Sequence, residues 1–329
     1  MKVEISAPGK IFLSGEYFAL DGGLATILST KQRVNVVIDE NSGPNNIFYT
    51  SAKCKSFPFT VDDEFRIKWI ENDPKEYGSF IKHAIKQMEI RPLNSSFFID
   101  SSKLYHDNKK IGIGSSAAIS SALVKAINTY FDLQYNRSNI IDMSIELHKI
   151  NQDNRGSGLD VISSIADCDL IECDKMATKQ KTWTAITWPN SLFISGVITN
   201  QSSSTSQMLE RYQKGKILNE EFFKTVFSDA KEILKELSFA WQLEDTNLII
   251  SFMEEYNMLI HLLNEKFDLQ IFSREHQFLM QIAKQLGIFY KPSGAGGGDL
   301  GIVLSNDKEK FTQFFLKLTD SNFRPINLR

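Results

Sequence analysis

Between Lys109 and Ile127 the chain reads KKIGIGSSAAISSALVKAI, two glycines and two serines set directly ahead of a helical pattern. Glycine reaches positive φ at little cost, so Gly112 and Gly114 mark a tight turn into a helix that Ser115 or Ser116 could cap. The same residues admit a second reading. Backbone N–H groups at a helix N-terminus point outward with partial positive charge, so the turn is equally suited to cradle an anion. The spacing matches neither G-x-x-x-x-G-K-[ST] nor G-x-G-x-x-G, which sets aside the P-loop and the dinucleotide fingerprint.

Any anion held there must be met by local charge. The 329 residues carry 37 Lys and Arg against 40 Asp and Glu, a net charge of -3, which argues against a general nucleic-acid binder. With 42% hydrophobic and 23% charged residues the composition is that of an ordinary globular protein. Cys54, Cys168 and Cys173 have no metal-ligand spacing, nor do the five histidines, so the thiols read as buried and reduced. The N-terminal MKVEISAPGKIF alternates like a strand and lacks the apolar core of a signal peptide. No apolar run approaches the ~20 residues that span a bilayer. The expectation is a cytoplasmic chain with neither membrane nor nucleic acid as partner.

Along the first half, KVEIS, QRVNVVID, NNIFYT and SSFFID read as strands, with helices near Gly78–Met88, after Ser115 and near Ser138–Asn151. Leu192–Asn200 is a further strand. Beyond it Phe223, Val226, Phe227, Ala230, Ile233, Leu234 and Leu237 recur at helical spacing, and two more apolar stripes follow, Leu248–Leu263 and Phe278–Leu286. The end reads strand, glycine-rich loop, strand, helix and a closing strand. Helices lie beside runs of strands without strict alternation, which makes the class α+β.

Three small-residue motifs stand in a fixed order: APGKIFLSGEYFALDGG from Ala7, the opening stretch, and KPSGAGGGDLGIV from Lys291. In the first, Pro8-Gly9 is expected to end the opening strand and to hold Lys10 on a turn. In the third, four of the five residues Gly294–Gly298 are glycine, freedom that costs stability unless the backbone must approach something closely. The ordered set resembles the GHMP kinase superfamily, which includes galactokinase, homoserine kinase, mevalonate kinase and phosphomevalonate kinase. Within it, HKINQDNRGSGLDVISS, TWPNSLFISGVITNQSSSTSQML and PSGAGGGDLGI look most like the phosphomevalonate kinase branch. One departure is ADCDLIEC, which stands where that branch often has Gly-Gly. Another is Glu146, fourteen residues before Asp160 and too far to be read as the metal-binding glutamate of mevalonate kinases.

The resemblance implies a two-domain fold: residues 1–175 a ribosomal-protein-S5-like nucleotide-binding domain, residues 176–329 a ferredoxin-like α+β domain with added helices that completes the substrate site. It implies ATP and Mg2+, with mevalonate 5-phosphate as acceptor and a monomer or homodimer as the working form. Lys10 and Asp160 take the catalytic roles, the first stabilising transition-state charge and the second orienting the acceptor or taking its proton. Gly112, Gly114, Ser115, Ser116 and Ala117 cradle the nucleotide phosphates, with Ser115 and Ser116 near the metal. Ser14, Tyr17, Lys110, His148, Arg155, Ser157, Ser202, Thr205, Ser293, Gly294 and Ala295 are the expected substrate contacts. Rival readings within the fold are a kinase with an alcohol acceptor such as mevalonate, and the decarboxylase that phosphorylates transiently. Outside enzymes altogether stands a binding homologue that has lost turnover.

Overall fold

A computed structural model describes every residue except 108, 153–156, 181, 202–204 and 320, and only the backbone of residues 54, 175, 177, 178 and 205. The chain forms two compact units. The first is Met1–Gly9, Gln32–Lys110 and Gly114–Asp167; the second is Lys10–Lys31, Ile111–Ile113 and Cys168–Arg329. Residues 10–31 and 111–113, expected within an N-terminal domain, thus cluster with the C-terminal half.

In chain order the elements up to Asp167 are β1 (Val3–Ser14), β2 (Ala25–Glu40), β3 (Asn46–Thr50), β4 (Lys53–Val61), β5 (Ile67–Trp69), α1 (Ser79–Gln87), β6 (Ser95–Asp100), β7 (Tyr105–His106), β8 (Lys109–Lys110), α2 (Ser115–Tyr130), α3 (Arg137–Ile150) and α4 (Leu159–Ala166). β1 runs straight through Pro8-Gly9, where the sequence suggested a turn. A proline within a strand forfeits only its own donor. The carbonyl of Pro8 still accepts a hydrogen bond, from the Ser164 hydroxyl at 3.0 Å.

In the first unit the second half of β2 pairs antiparallel with β6, from Asn35↔Asp100 to Glu40↔Ser95. β6 pairs parallel with β3, and β3, β4 and β5 follow as antiparallel neighbours. Alternation in RVNVVID buries Val34, Val36 and Ile38 completely. Rings of Phe48, Phe57, Phe59, Trp69, Phe97 and Phe131 pack on one another within this unit. Helix α2 packs against α1, α3 and α4. Its small residues make that possible: Ala117, Ala118, Ser120, Ser121 and Ala122 are all fully buried. α3 starts at a reciprocal cap in which Asn136 and Asn139 each accept the other's backbone N–H.

The second unit adds β9 (Leu170–Cys173), α5 (Lys175–Gln180), β10 (Thr184–Ile186), β11 (Phe193–Ile198), α6 (Thr205–Leu218), α7 (Glu220–Gln242), α8 (Thr246–Phe267), α9 (Arg274–Leu286), β12 (Phe289–Pro292), β13 (Leu300–Ser305), α10 (Lys308–Leu316) and β14 (Arg324–Ile326). The first half of β2 pairs with β9, and β9 with β10, all antiparallel. A separate antiparallel sheet runs β12-β13-β11-β14. α9 and α10 pack on it around Val197, Leu279, Ala283, Tyr290, Val303 and Phe314. At about 1.5–3 kcal/mol per buried large apolar side chain, such a cluster is a main source of the unit's stability. The long pair α7 and α8 carries the first two apolar stripes read from the sequence, and α9 carries the third. Asp245 caps α8 through the N–H groups of Asn247 and Leu248. Cys173 is buried and Cys168 half-buried, both as thiols. Among the described residues no helix is long and apolar enough to cross a membrane.

Candidate active site

In the first unit the glycine-opened helix has the geometry of a phosphate cradle. Gly114, φ +76°, is the N-cap of α2, and the first turn receives no side-chain cap. Neither Ser115 nor Ser116 caps the helix, so the bland explanation of the serines does not hold. Their hydroxyls turn elsewhere. Ser115 is hydrogen-bonded to Tyr105, a half-buried phenol whose pKa burial pushes up. Ser116 Oγ lies 3.1 Å from His148 Nδ1, and His148 Nε2 lies 3.0 Å from Asp160 Oδ2. A Ser–His–Asp chain therefore links the starts of α2 and α4.

Asp160 is not a helix cap either. Gly158, φ +80°, holds the N-cap position of α4, and Asp160 follows in the first turn with its Oδ1 accepting the Val161 N–H at 3.0 Å. Its side chain is 19% exposed, within reach of solvent but held. Ser157 stands half-buried just before, near enough to accept weakly from Leu159 N–H at 3.4 Å. His148, expected to touch substrate, has both ring nitrogens engaged by protein groups. Glu146 faces solvent and accepts from Gln87 Nε2 at 2.9 Å. Arg155 and Ser202 lie outside the described residues, as does the side chain of Thr205.

Beside the α2 start, still in the first unit, lies a cavity of about 590 Å³. Phe80, Ile99, Ile119 and Ile150 give it apolar walls; Ser101, Tyr105 and Lys110 give it polar ones. Lys110 thus lines a half-apolar pocket of a size that suits a small organic ligand.

The second unit gathers the first motif, the residues leading into the second, and the third. Lys10 N–H bonds Ile113 O at 2.8 Å, and its half-buried side chain sets Nζ 4.8 Å from the centre of the Phe12 ring. Gly112 has φ +85°, and a Cβ there would lie 2.8 Å from Asp299 Cβ, so only glycine fits. Ser14 is fully buried with no hydrogen-bond partner for its hydroxyl. Tyr17 is spent on structure: its hydroxyl donates to Ala295 O at 2.5 Å, and burial, helped by the Glu16 charge, keeps it a neutral phenol. The Ser293 N–H is likewise committed, to Leu300 O at 2.9 Å. Of the expected substrate contacts in this unit, Ser14 is thus buried, and the Tyr17 hydroxyl and the Ser293 N–H are each hydrogen-bonded to a backbone carbonyl. Gly294, φ +62°, faces open space where a Cβ would stand, and the half-buried Ala295 follows it.

Behind these loops sits a charged pair that the sequence did not reveal. The fully buried Lys291 ammonium pairs with Glu16 and donates to Leu13 O at 3.0 Å. The Tyr256 hydroxyl donates to the other Glu16 oxygen at 3.2 Å. Burial lowers the Lys291 pKa and the Glu16 carboxylate opposes that shift. His276 supports the glycine loop from behind, its Nε2 3.3 Å from Gly298 O and its Nδ1 2.8 Å from the Tyr290 hydroxyl.

The GHMP kinases N-terminal domain matches residues 79–167, the segment holding the α2 cradle, His148 and Asp160. Residues 79–167 thus form a GHMP kinases N-terminal domain. Two curated phosphomevalonate kinases are similar to this chain over nearly its whole length. That of Streptomyces sp. strain CL190 is 23% identical, covering 91% of this chain and 88% of the relative. That of Saccharolobus solfataricus is 26% identical, covering 96% and 94%. Among solved structures, Streptococcus pneumoniae phosphomevalonate kinase in complex with phosphomevalonate and AMPPNP superposes with a TM-score of 0.77 at 19% identity, over 98% of this chain and all of that one. Methanococcus jannaschii mevalonate kinase also gives 0.77, at 20% identity, over 100% and 98%. These superpositions establish a GHMP kinase fold, and by themselves they leave the acceptor open.

Proposed function

We propose that this chain transfers the γ-phosphoryl group of ATP to the phosphate of mevalonate 5-phosphate, forming mevalonate 5-diphosphate and ADP. What carries the reading is the pairing, within one unit, of an uncapped, glycine-opened helix start with a carboxylate held on a fixed imidazole. Both curated relatives are phosphomevalonate kinases, and the pneumococcal structure holds phosphomevalonate with an ATP analogue. An acceptor phosphate oxygen attacks Pγ, the bond from Pγ to the bridging oxygen breaks, and its electron pair leaves with ADP. Such transfer needs positioning and charge neutralisation more than covalent chemistry.

The N–H groups at the start of α2 meet the nucleotide phosphates. The adjacent cavity takes the nucleoside, its aliphatic and phenyl walls stacking a base while Tyr105 and Lys110 meet polar groups. Lys110 therefore serves the nucleotide rather than the acceptor. Asp160 orients the acceptor. A phosphate monoester with a second pKa near ~6 is already mostly dianionic at neutral pH, so no base has to deprotonate it. Lys10 keeps the charge-stabilising role that the resemblance gives it. Magnesium suits this donor set as an ion carried in on the nucleotide, held by the Ser115 or Ser116 hydroxyl and the Asp160 carboxylate. Among the described residues no cluster of three His, Cys, Asp or Glu could hold a resident ion. Bound there, it would neutralise phosphate charge.

The test is ADP release with mevalonate and with mevalonate 5-phosphate at equal concentration. Mevalonate 5-phosphate should be the better acceptor, and Lys10→Met should lower kcat on the order of 10²–10³-fold with a smaller change in ATP affinity. Faster turnover of plain mevalonate would overturn the acceptor and leave the kinase fold intact.

A further inference from the structure

His148 lies in the last turn of α3, and its side chain is 4% exposed. It joins Ser116 in the first turn of α2 to Asp160 in the first turn of α4, and the three helices pack on one another. The hydrogen positions follow from the partners. A carboxylate only accepts, so the ring nitrogen facing Asp160, Nε2, carries the hydrogen. In a neutral ring Nδ1 is then an acceptor, and Ser116 must donate its O–H to it. The hydroxyl has one hydrogen. Once that is committed, Ser116 meets any other group with lone pairs alone.

We propose that His148 is a positioning residue of the phosphoryl-transfer site, holding Asp160 in place through Nε2–H while turning Ser116 into an acceptor-only hydroxyl. A free serine at an uncapped helix start could rotate its hydrogen toward a phosphate or present its oxygen to a cation. The ring makes that choice in advance, which is how a site avoids reorganising during the reaction. Asp160 is fixed from two sides, by His148 at Oδ2 and by the Val161 N–H at Oδ1. One side chain therefore couples the phosphate-side helix to the acceptor-side carboxylate. The kinetic part of this inference rests on the kinase reading above; the tautomer does not.

Imidazole ¹⁵N spectra of the histidine-labelled protein at neutral pH test the tautomer without any turnover. His148 should give one hydrogen-bearing nitrogen, assigned to Nε2, and one acceptor nitrogen whose shift moves in Ser116→Ala. A hydrogen on Nδ1, a doubly protonated ring or rapidly averaging tautomers would overturn the proposal, whatever the enzyme's substrate. Kinetics test the positioning. His148→Phe removes both bonds at similar volume and should lower kcat roughly 10–100-fold, the range for residues that orient a ligating shell, with a smaller effect on the KM for ATP. His148→Gln, whose amide can reach toward Asp160, should recover part of the loss. In the Asp160→Asn background the same replacement should cost less than in the native chain, because the part of its effect that runs through Asp160 is already gone. An equal loss in both backgrounds, or no recovery with Gln, contradicts the role. Thermal melts accompany every variant, and where His148→Phe does not fold, His148→Gln takes its place in the cycle. A chain that binds ATP but turns over no acceptor would sink the kinase reading and leave the ¹⁵N result to decide the tautomer.

Discussion

Acidification should loosen the second unit through one residue. His276 lies on α9 among the apolar side chains of the β12-β13-β11-β14 sheet and is fully buried. Burial pulls its pKa from 6.5 to about 4, only partly countered by the Gly298 carbonyl and the Glu275 charge. The neutral ring fits its partners: Nε2–H donates to Gly298 O, and Nδ1 accepts from the Tyr290 hydroxyl. The folded pKa lies below the unfolded one, so the stabilisation is complete above pH ~6.5 and is lost as pH falls through ~4, the unfolded chain binding the proton that the fold refuses. With those two values the loss through His276 is about 2 kcal/mol at pH 5 and about 3 kcal/mol at pH 4. Urea midpoints measured from pH 7 to pH 4 for the native chain and for His276→Gln isolate it, since every other titratable group is present in both. The Gln amide can still donate to Gly298 but does not titrate. The variant should be the less stable at pH 7, and its deficit should shrink by about 2 kcal/mol at pH 5. Parallel stability curves, within about 0.5 kcal/mol over that range, would refute the reasoning.

Breaking the buried Glu16–Lys291 pair from either side, by Glu16→Gln or Lys291→Met, should cost about 3–5 kcal/mol, because each leaves its partner charged, buried and unpaired. The double replacement should cost less than the sum, and additive losses in thermal melts would show that the two do not act as a pair. Gly112→Ala should cost about 1–3 kcal/mol, from the positive φ and the approach to Asp299, and should weaken ATP binding. Gly43→Ala, where a Cβ meets nothing nearer than an Asn41 side-chain atom at 3.4 Å, should change neither, and equal behaviour of the two variants would remove Gly112 from the cradle.

What the sequence made legible is what local periodicity encodes. Val34, Val36 and Ile38 alternate because one face of β2 is buried, and the stripe from Phe223 to Leu237 recurs because α7 buries one side. The glycines ahead of α2 were legible for a related reason, since positive φ is a local demand that few residues meet. The Pro8-Gly9 pair misled because a turn signal is only a local preference, and β1 overrides it with a bond from Ser164, 156 residues away. The site's supporting groups were hidden by distance along the chain. Glu16 and Lys291 are 275 residues apart, and Tyr17 reaches Ala295 across 278. Nothing in the spacing around Tyr17 distinguishes a phenol that contacts substrate from one that pins a loop.

Lys291 makes the last point about charge. It immediately precedes the glycine loop, and in an acidic chain that binds phosphates a lysine there invites assignment as a phosphate ligand. Its ammonium is instead fully buried, paired with Glu16 and bonded to Leu13 O. A paired buried ion is close to neutral as seen from outside, so it contributes rigidity and little attractive field. The positive potential for phosphate must then come from elsewhere. On the reading proposed above, the uncapped start of α2 supplies it through oriented backbone dipoles, which need no side-chain cation. Lys110, exposed in the same unit, is a described cation that can add to it. Backbone dipoles stay fixed by the fold while flexible ammonium groups must be ordered on binding, so a net charge of -3 is no obstacle to an anion site built this way.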